Sequence, residues 1–425
     1  MNSTPERRVN RVRLHHAATL LGELVTFSQP ADAVVSSYFR AHRQLGHQDR
    51  GWIAETIYAV LRHLRSARAW AGLDASPREL LLTWLLRGEG LSLRQLDEAL
   101  EAGERDALGA AKARPLPELG FADRSEMPDW LLEELEREFA PEALGSLCAA
   151  LNRVAPLDLR VNPAKIKREE AQARLGAEGL MVQAGAWSPV ALRLDDKPAL
   201  NKHPLFLSGA LEVQDEGSQL LGYLLAPRRG ELVVDFCAGA GGKTLLLGAL
   251  MRGTGRLYAL DVADKRLAKL KPRAARAGLS NVHPMLIDSE RDPRLKRLAG
   301  KADRVLVDAP CSGLGTLRRN PDLKWRQSPE SVADLTIKQA AILAAAAQLV
   351  RPGGRLVYAT CSLLRRENED VVADFLAART DFRRVSAQKV LAEQGISLPC
   401  GEDLHLNPAV HGTDGFFAAV LERAN

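Results

Sequence analysis

The sequence predicts an α/β protein: a Rossmann-like, doubly wound sheet in the C-terminal half, preceded by an all-α region and a small α+β region. Two observations carry this expectation. From about residue 231, short continuous apolar runs ending in acids alternate with helical stretches, which is how parallel strands buried on both faces read. Before residue 125, apolar positions recur at three- and four-residue steps, the period of a helix with one buried face.

Taken in order, the first region spans 1–125. Its stretches AATLLGELV, WIAETIYAVLRHLRSARAWAG and LRQLDEAL carry the helical period. The first 75 residues hold ten arginines (Arg7, Arg8, Arg11, Arg13, Arg40, Arg43, Arg50, Arg62, Arg65 and Arg68) against six acids (Glu6, Glu23, Asp32, Asp49, Glu55 and Asp74). This surplus of basic groups admits two readings, a solvated helix face or a surface whose arginines contact RNA phosphates. Residues 98–142 are acidic and broken by proline (RPLPELGF, EMPDWLLEELEREFAPE), which suggests a connector followed by a short helix.

The second region, 126–205, continues with LDLRVN as a strand, a turn at Asn162-Pro163, a helix over about 166–175 and ALRLDD as a further strand. The third region, 206–425, begins with GALEVQDEGSQLLGYLL, a strand entering a helix. ELVVDF, RLYALD, HPMLID, RVLVDAP and GGRLVYATC then read as strands. VADKRLAKLKPRAARAG and IKQAAILAAAAQLV read as helices among them, and GFFAAVLER as a last strand. In an open sheet of this kind, ligands lie at the carboxyl ends of the strands.

Composition narrows the function classes. The 425 residues are 46% hydrophobic and 26% charged, ordinary for a soluble globular protein. A net charge of +5 suits a polyanionic partner without demanding one. There is no run of about 18 uncharged apolar residues and no signal-peptide core at the start, so the expectation is a cytoplasmic monomer with no membrane partner. The five cysteines, Cys148, Cys237, Cys311, Cys361 and Cys400, form no CxxC pair and no cluster with zinc spacing. Neither a metal site nor a disulfide framework is expected, and the default for each is a small buried hydrophobe.

The stretch DFCAGAGGKT, 235–244, follows the first strand of the sheet. Its glycines let the backbone turn sharply and approach a ligand. It lacks the spacing of both the dinucleotide fingerprint and the P-loop, since Cys237 stands where the P-loop needs its outer glycine. Asp261 closes the second strand, where a carboxylate can accept ribose hydroxyls, and Asp288 closes the third, placed for the exocyclic amine of adenine. With Asp235, three strand-end acids and a glycine turn form the layout expected of an S-adenosylmethionine pocket. The competing account is that such acids cap the following helices.

Three motifs together, DFCAGAGGKT, DAPCSGLGTLRRNPDLKWR and YATCSLLRRENEDVV, resemble those of the RsmB/Sun-type RNA (cytosine-5)-methyltransferases, over roughly residues 125–425. DRGWIAETIYAVLRHLR more loosely resembles the NusB-like RNA-binding domain that precedes such a core, and the second region its small RNA-recognition subdomain. Ala240 stands where the family commonly has proline. The resemblance implies a class I methyltransferase fold with S-adenosylmethionine as cofactor. The residues expected to bind it are Cys237, Ala238, Gly239, Ala240, Gly241, Gly242, Lys243, Asp261, Arg266, Asp288 and Asp308, with the Cys237 thiol itself read as packing.

The chemistry accounts for two thiols. Carbon 5 of cytosine attacks a methyl group only after a thiolate has added to carbon 6, and a base must later remove the carbon-5 proton so that the thiol leaves. Cys311 and Cys361 end adjacent strands, so both can face one base, and residue order does not choose between them. The resemblance does: it implies Cys361 as nucleophile and Cys311 as the thiol that aids product release. It further implies Asp308 at ring nitrogen 3 and Lys243 in the same site. Arg318, Arg319, Lys324 and Arg326 are expected to reach RNA phosphates; Trp325 either stacks on a base or packs beneath its loop, with packing favoured. The expected function is methylation of 16S rRNA. A tRNA methyltransferase, a small-molecule methyltransferase and a catalytically silent ribosome-assembly protein are the alternatives.

Overall fold

The computed structural model describes residues 9–425 except 197, so Arg7 and Arg8 of the basic count and Glu6 of the acidic one lie outside the described residues. The chain forms two compact units. One comprises the chain up to Arg153 together with 317–328; the other comprises 154–316 and 329–425.

The first unit is helical, and its ends follow from local chemistry. Helix Arg11–Leu24 opens at Asn10, whose side chain accepts from the Arg13 amide. Helix Pro77–Thr83 starts with proline at its first turn and a reciprocal Ser76–Glu79 capping box. The long run expected over 52–72 is two helices, His47–Arg62 and Leu64–Ala71, broken at His63. Their apolar faces (Ile53, Ile57, Leu61, Leu64) and those of the first helix (Leu14, Leu20, Leu21) are fully buried in one core. Helices Asp129–Glu138 and Pro141–Leu151 also belong to this unit.

In the second unit, β1 (Leu157–Val161), β2 (Val182–Ala184), β3 (Ala191–Leu194) and β4 (Leu211–Val213) make an antiparallel sheet in the order β2-β3-β1-β4. Since β4 pairs with β1, this small sheet closes only beyond the expected boundary at 205. The large sheet contains β5 (Leu232–Asp235), β6 (Arg256–Asp261), β7 (Val282–Leu286), β8 (Ala302–Asp308), β9 (Val350–Thr360), β10 (Phe382–Val385), β11 (Leu404–Leu406) and β12 (Phe416–Arg423). Its order is β10-β12-β9-β8-β5-β6-β7, with β11 beside β12. β5 to β9 are parallel and β12 runs antiparallel between β9 and β10. The order reverses at β5, which has β6 on one side and β8 on the other, and such a switch point opens a crevice at the carboxyl edge.

Candidate active site

The crevice is a cavity of about 620 Å³ lined by residues from the ends of β5, β6, β8 and β9 and from helix Pro329–Ala347. Of the expected cofactor residues, Cys237, Ala238, Gly239, Ala240, Asp261, Arg266 and Asp308 line it. Asp261 accepts from the Gly239 amide and the Ala263 amide, each at 2.7 Å, so its carboxylate fixes the two loops that frame the pocket. Val262, Ile287, Pro310 and Ile342 add apolar surface, and Glu290 and Lys338 add charge. A cleft whose walls are polar and apolar in equal measure fits a nucleoside-bearing cofactor.

Four expected cofactor residues are not brought there. Asp288 lies beyond the end of β7 with its side chain 90% exposed, 3.7 Å from Arg294, and Glu290 is the acid of that segment that reaches the cavity. Gly241 serves the backbone: its φ is +89°, and a Cβ there would sit 2.2 Å from Leu270 Cδ1. Gly242 and Lys243 instead line a smaller neighbouring cavity of about 130 Å³ with Gln214, Ser218, Asp235 and Asp308.

Asp308 therefore faces both cavities, and Lys243 Nζ donates to its Oδ2 at 2.6 Å. Burial works against the Lys243 ammonium, but Asp308, backed by Cys361 and Asp235, holds its pKa above the ordinary lysine value. Asp235 is fully buried; its Oδ2 accepts from Thr244 at 2.7 Å, while its Oδ1 has no hydrogen-bond partner. Burial pushes this carboxyl up to about 7.

Cys311 and Cys361 both line the larger cavity, with their sulfurs 3.3 Å apart. The parallel register of β8 and β9 pairs Asp308 with Ala359, which brings the two loops alongside each other. The Cys361 amide donates to Cys311 Sγ at 3.3 Å. The contact with Cys361 and burial, assisted by the Glu367 carboxylate, hold the Cys311 thiol well above the ordinary range. Cys237 is likewise held up, by burial and then by Asp308, which suits packing. Cys148 is buried and pushed up to about 11.

Glu367 is the residue the sequence analysis missed. It is fully buried and touches the residue after each cysteine, Ser312 and Ser362. Its only sequence signal is an acid closely following the TCS motif.

The expected RNA contacts in 317–328 need correction, because that segment folds into the helical unit. Lys324 is fully buried and donates to the Arg62 carbonyl at 2.8 Å and to Asn152 Oδ1 at 3.0 Å. Burial brings its amine down to about 7. Arg318 is 6% exposed, and its carbonyl accepts from Arg62 at 2.8 Å. Trp325 packs on the helical core and donates to the Leu61 carbonyl at 3.1 Å. Burial thus removes Lys324 and Arg318 from the reach of a phosphate. Arg319 and Arg326 are half-buried, the latter 3.5 Å from Asp322. Among the arginines of the first helices, Arg13 pairs with Asp49, and Arg65 with Asp123 and Asp129; Arg11, Arg40 and Arg43 are exposed.

Among the described residues, no group of three or more His, Cys, Asp or Glu could hold a metal ion, and no helix is long and apolar enough to cross a membrane.

Residues 222–422 match the family model described as 16S rRNA methyltransferase RsmB/F, and residues 127–201 match an RsmF/B-like ferredoxin-like domain. A probable ribosomal RNA small subunit methyltransferase B of Synechocystis is 38% identical over 72% of this chain and 69% of its own length. Its counterpart in Bacillus subtilis is 30% identical over 89% of this chain and 92% of its own. The crystal structure of PH0851 superposes with a TM-score of 0.79 at 26% identity, covering 99% of this chain and all of the other. NSun6 from Pyrococcus horikoshii, solved with SFG, shares the fold at a TM-score of 0.61 and 22% identity, over 70% of this chain and 98% of its own.

Proposed function

The chain belongs to the RsmB/F family of RNA methyltransferases, and from that premise we propose that it methylates carbon 5 of a cytosine in 16S rRNA through a covalent adduct on Cys361. The observation that carries this reading is the 3.3 Å approach of two thiols beside the Lys243–Asp308 ion pair. Methylation of an oxygen or an exocyclic nitrogen needs no such pair of sulfurs.

Gly239, Asp261, Val262 and Arg266 would hold S-adenosylmethionine, which would supply the methyl group. The Cys361 thiolate adds to carbon 6 of the flipped base, and the electron pair of the 5,6 double bond becomes available at carbon 5. Asp308 accepts from the exocyclic amine and from ring nitrogen 3 once that nitrogen takes up a proton as the thiolate adds, and Lys243 keeps that carboxylate oriented. After methyl transfer carbon 5 carries both a proton and the new methyl group. Cys311 assists removal of the proton, the double bond re-forms, and the bond from Cys361 to carbon 6 breaks. The helical unit, with Arg11, Arg40 and Arg43 exposed, and the small antiparallel sheet select the RNA.

The test compares Cys311→Ala and Cys361→Ala, each incubated with a 16S rRNA transcript and S-adenosylmethionine and run on a denaturing gel. A methylated RNA–protein adduct that accumulates in Cys311→Ala and is absent from Cys361→Ala supports the assignment. The opposite pattern makes Cys311 the nucleophile. Methylation by wild type with no adduct in either variant overturns the covalent mechanism.

A further inference from the structure

The two cysteine loops share one buried anchor. Glu367 is fully buried at the turn preceding helix Glu369–Ala378, and among the described residues no lysine or arginine pairs with it. Its carboxylate is satisfied by hydrogen bonds alone. Oε1 accepts from the Ser312 amide at 2.8 Å and from Gln339 Nε2 at 2.9 Å; Oε2 accepts from the Ser312 hydroxyl at 2.5 Å and from the Ser362 hydroxyl. Ser312 follows Cys311 and Ser362 follows Cys361, so one carboxylate grips the neighbour of each thiol.

Further contacts converge on the same point. Gln339 Nε2 also donates to the Pro310 carbonyl at 3.0 Å, which holds the chain on the other side of Cys311. The Gly315 amide donates to the Cys361 carbonyl at 2.8 Å, and a Cβ at Gly315 would lie 2.3 Å from the Gly415 carbonyl oxygen. Tyr358 of β9 donates to the Glu367 carbonyl at 2.7 Å, which fixes the anchor to the sheet. A buried carboxylate with no counter-ion is expensive unless every acceptor site is used, so its retention here has a purpose beyond packing.

Resting on the cytosine-5 reading above, we propose that Glu367 is a positioning residue that sets the spacing of Cys311 against Cys361 and thereby governs release of the methylated product. Two of its bonds come from Ser312 and one from Ser362, so the Cys311 loop depends on it more. The charge on Glu367 also helps to keep Cys311 protonated while Cys361 attacks. An amide cannot reproduce this, because glutamine puts an N–H₂ group where a carboxylate oxygen now accepts.

The experiment compares wild type, Cys311→Ala, Cys361→Ala, Glu367→Gln and Ser312→Ala. The readouts are turnover, KM for S-adenosylmethionine and adduct on a denaturing gel with a 16S rRNA transcript. Glu367→Gln is expected to lower kcat at least tenfold, to leave that KM within about twofold, and to accumulate adduct as Cys311→Ala does. Ser312→Ala, which keeps the carboxylate and loses one arm, shows the same split more weakly and stands in if Glu367→Gln does not fold. Wild-type kcat in Glu367→Gln, or a kcat loss with no adduct while Cys311→Ala traps one, overturns the role of Glu367 and leaves the mechanism standing. Absence of adduct in Cys311→Ala and in Cys361→Ala, with wild type still active, removes the covalent reading itself.

Discussion

The sulfurs of Cys311 and Cys361 lie 3.3 Å apart although 50 residues separate them in the chain. At that distance two thiolates would repel strongly in a partly dry site, so the pair does not ionise together. Its environment keeps Cys311 in the thiol form. Iodoacetamide at pH 8 should therefore carboxamidomethylate Cys361 ahead of Cys311, and peptide mass mapping over time reads the order. Equal labelling of both, or Cys311 first, would contradict the assignment of roles.

The Lys243–Asp308 pair is buried enough for its geometry to matter. Asp308→Asn keeps the shape, removes the charge and leaves the ammonium unpaired. Loss of one preorganised polar group at a reacting base costs about 10²–10³ in kcat. Single-turnover methylation should fall by that order with unchanged affinity for S-adenosylmethionine; a change in affinity alone would assign Asp308 to the cofactor.

Asp261 accepts two backbone amides besides facing the cavity. Asp261→Ala would consequently loosen the loops at Gly239 and Ala263 as well as remove the carboxylate proposed to face the ribose. Asp261→Asn is the sharper probe, and calorimetric titration should show S-adenosylmethionine binding at least tenfold weaker. Undiminished affinity would remove Asp261 from the ribose site.

Asp235 tests burial against charge. Its carboxyl has been pushed up to about 7 in the fold, against about 3.9 in an unfolded chain. Between those values the folded protein holds a proton that the unfolded chain releases, so this group's contribution falls as pH rises through the window and is level above it. Asp235→Asn should raise the melting temperature relative to wild type at pH 8 and do so less at pH 5. An equal shift at both would show that Asp235 is not protonated in the fold.

Lys324 has the opposite sign. Its amine sits at about 7 in the fold, against about 10.4 unfolded, so the penalty on the folded state is fully present below 7 and relieved as pH rises toward 10. Lys324→Met strands the Arg62 carbonyl and the Asn152 side chain, at a cost of about 1–3 kcal/mol. Thermal melts should show a larger loss at pH 9 than at pH 6. The same variant should leave the salt slope of RNA binding unchanged, whereas replacing the exposed Arg11, Arg40 and Arg43 with glutamine should flatten it by about 0.7 per lost phosphate contact.

Much of this was legible without coordinates. The apolar runs that became β5, β8, β9 and β12 read as strands because burial leaves a local signature, whereas β7, read as a strand from its apolar residues, is half-buried or exposed at the sheet edge. Short elements such as β2, β10 and β11 carry too few residues for a period to show. Basic composition misled at Lys324 and Arg318, since a lysine that donates to a carbonyl 262 residues away leaves no local sign of burial.

The sequence by itself determined strands β5 to β9 and β12, the strand-end motifs and the two thiols, because each depends on residues adjacent in the chain. Only the tertiary structure decided that Asp288 turns outward and Glu290 inward, that 317–328 completes the helical core, and that Glu367 joins the two cysteine loops. Those outcomes rest on hydrogen bonds and packing between distant segments. No periodicity encodes such contacts, and the free energy of burial settles them only when the whole chain has folded.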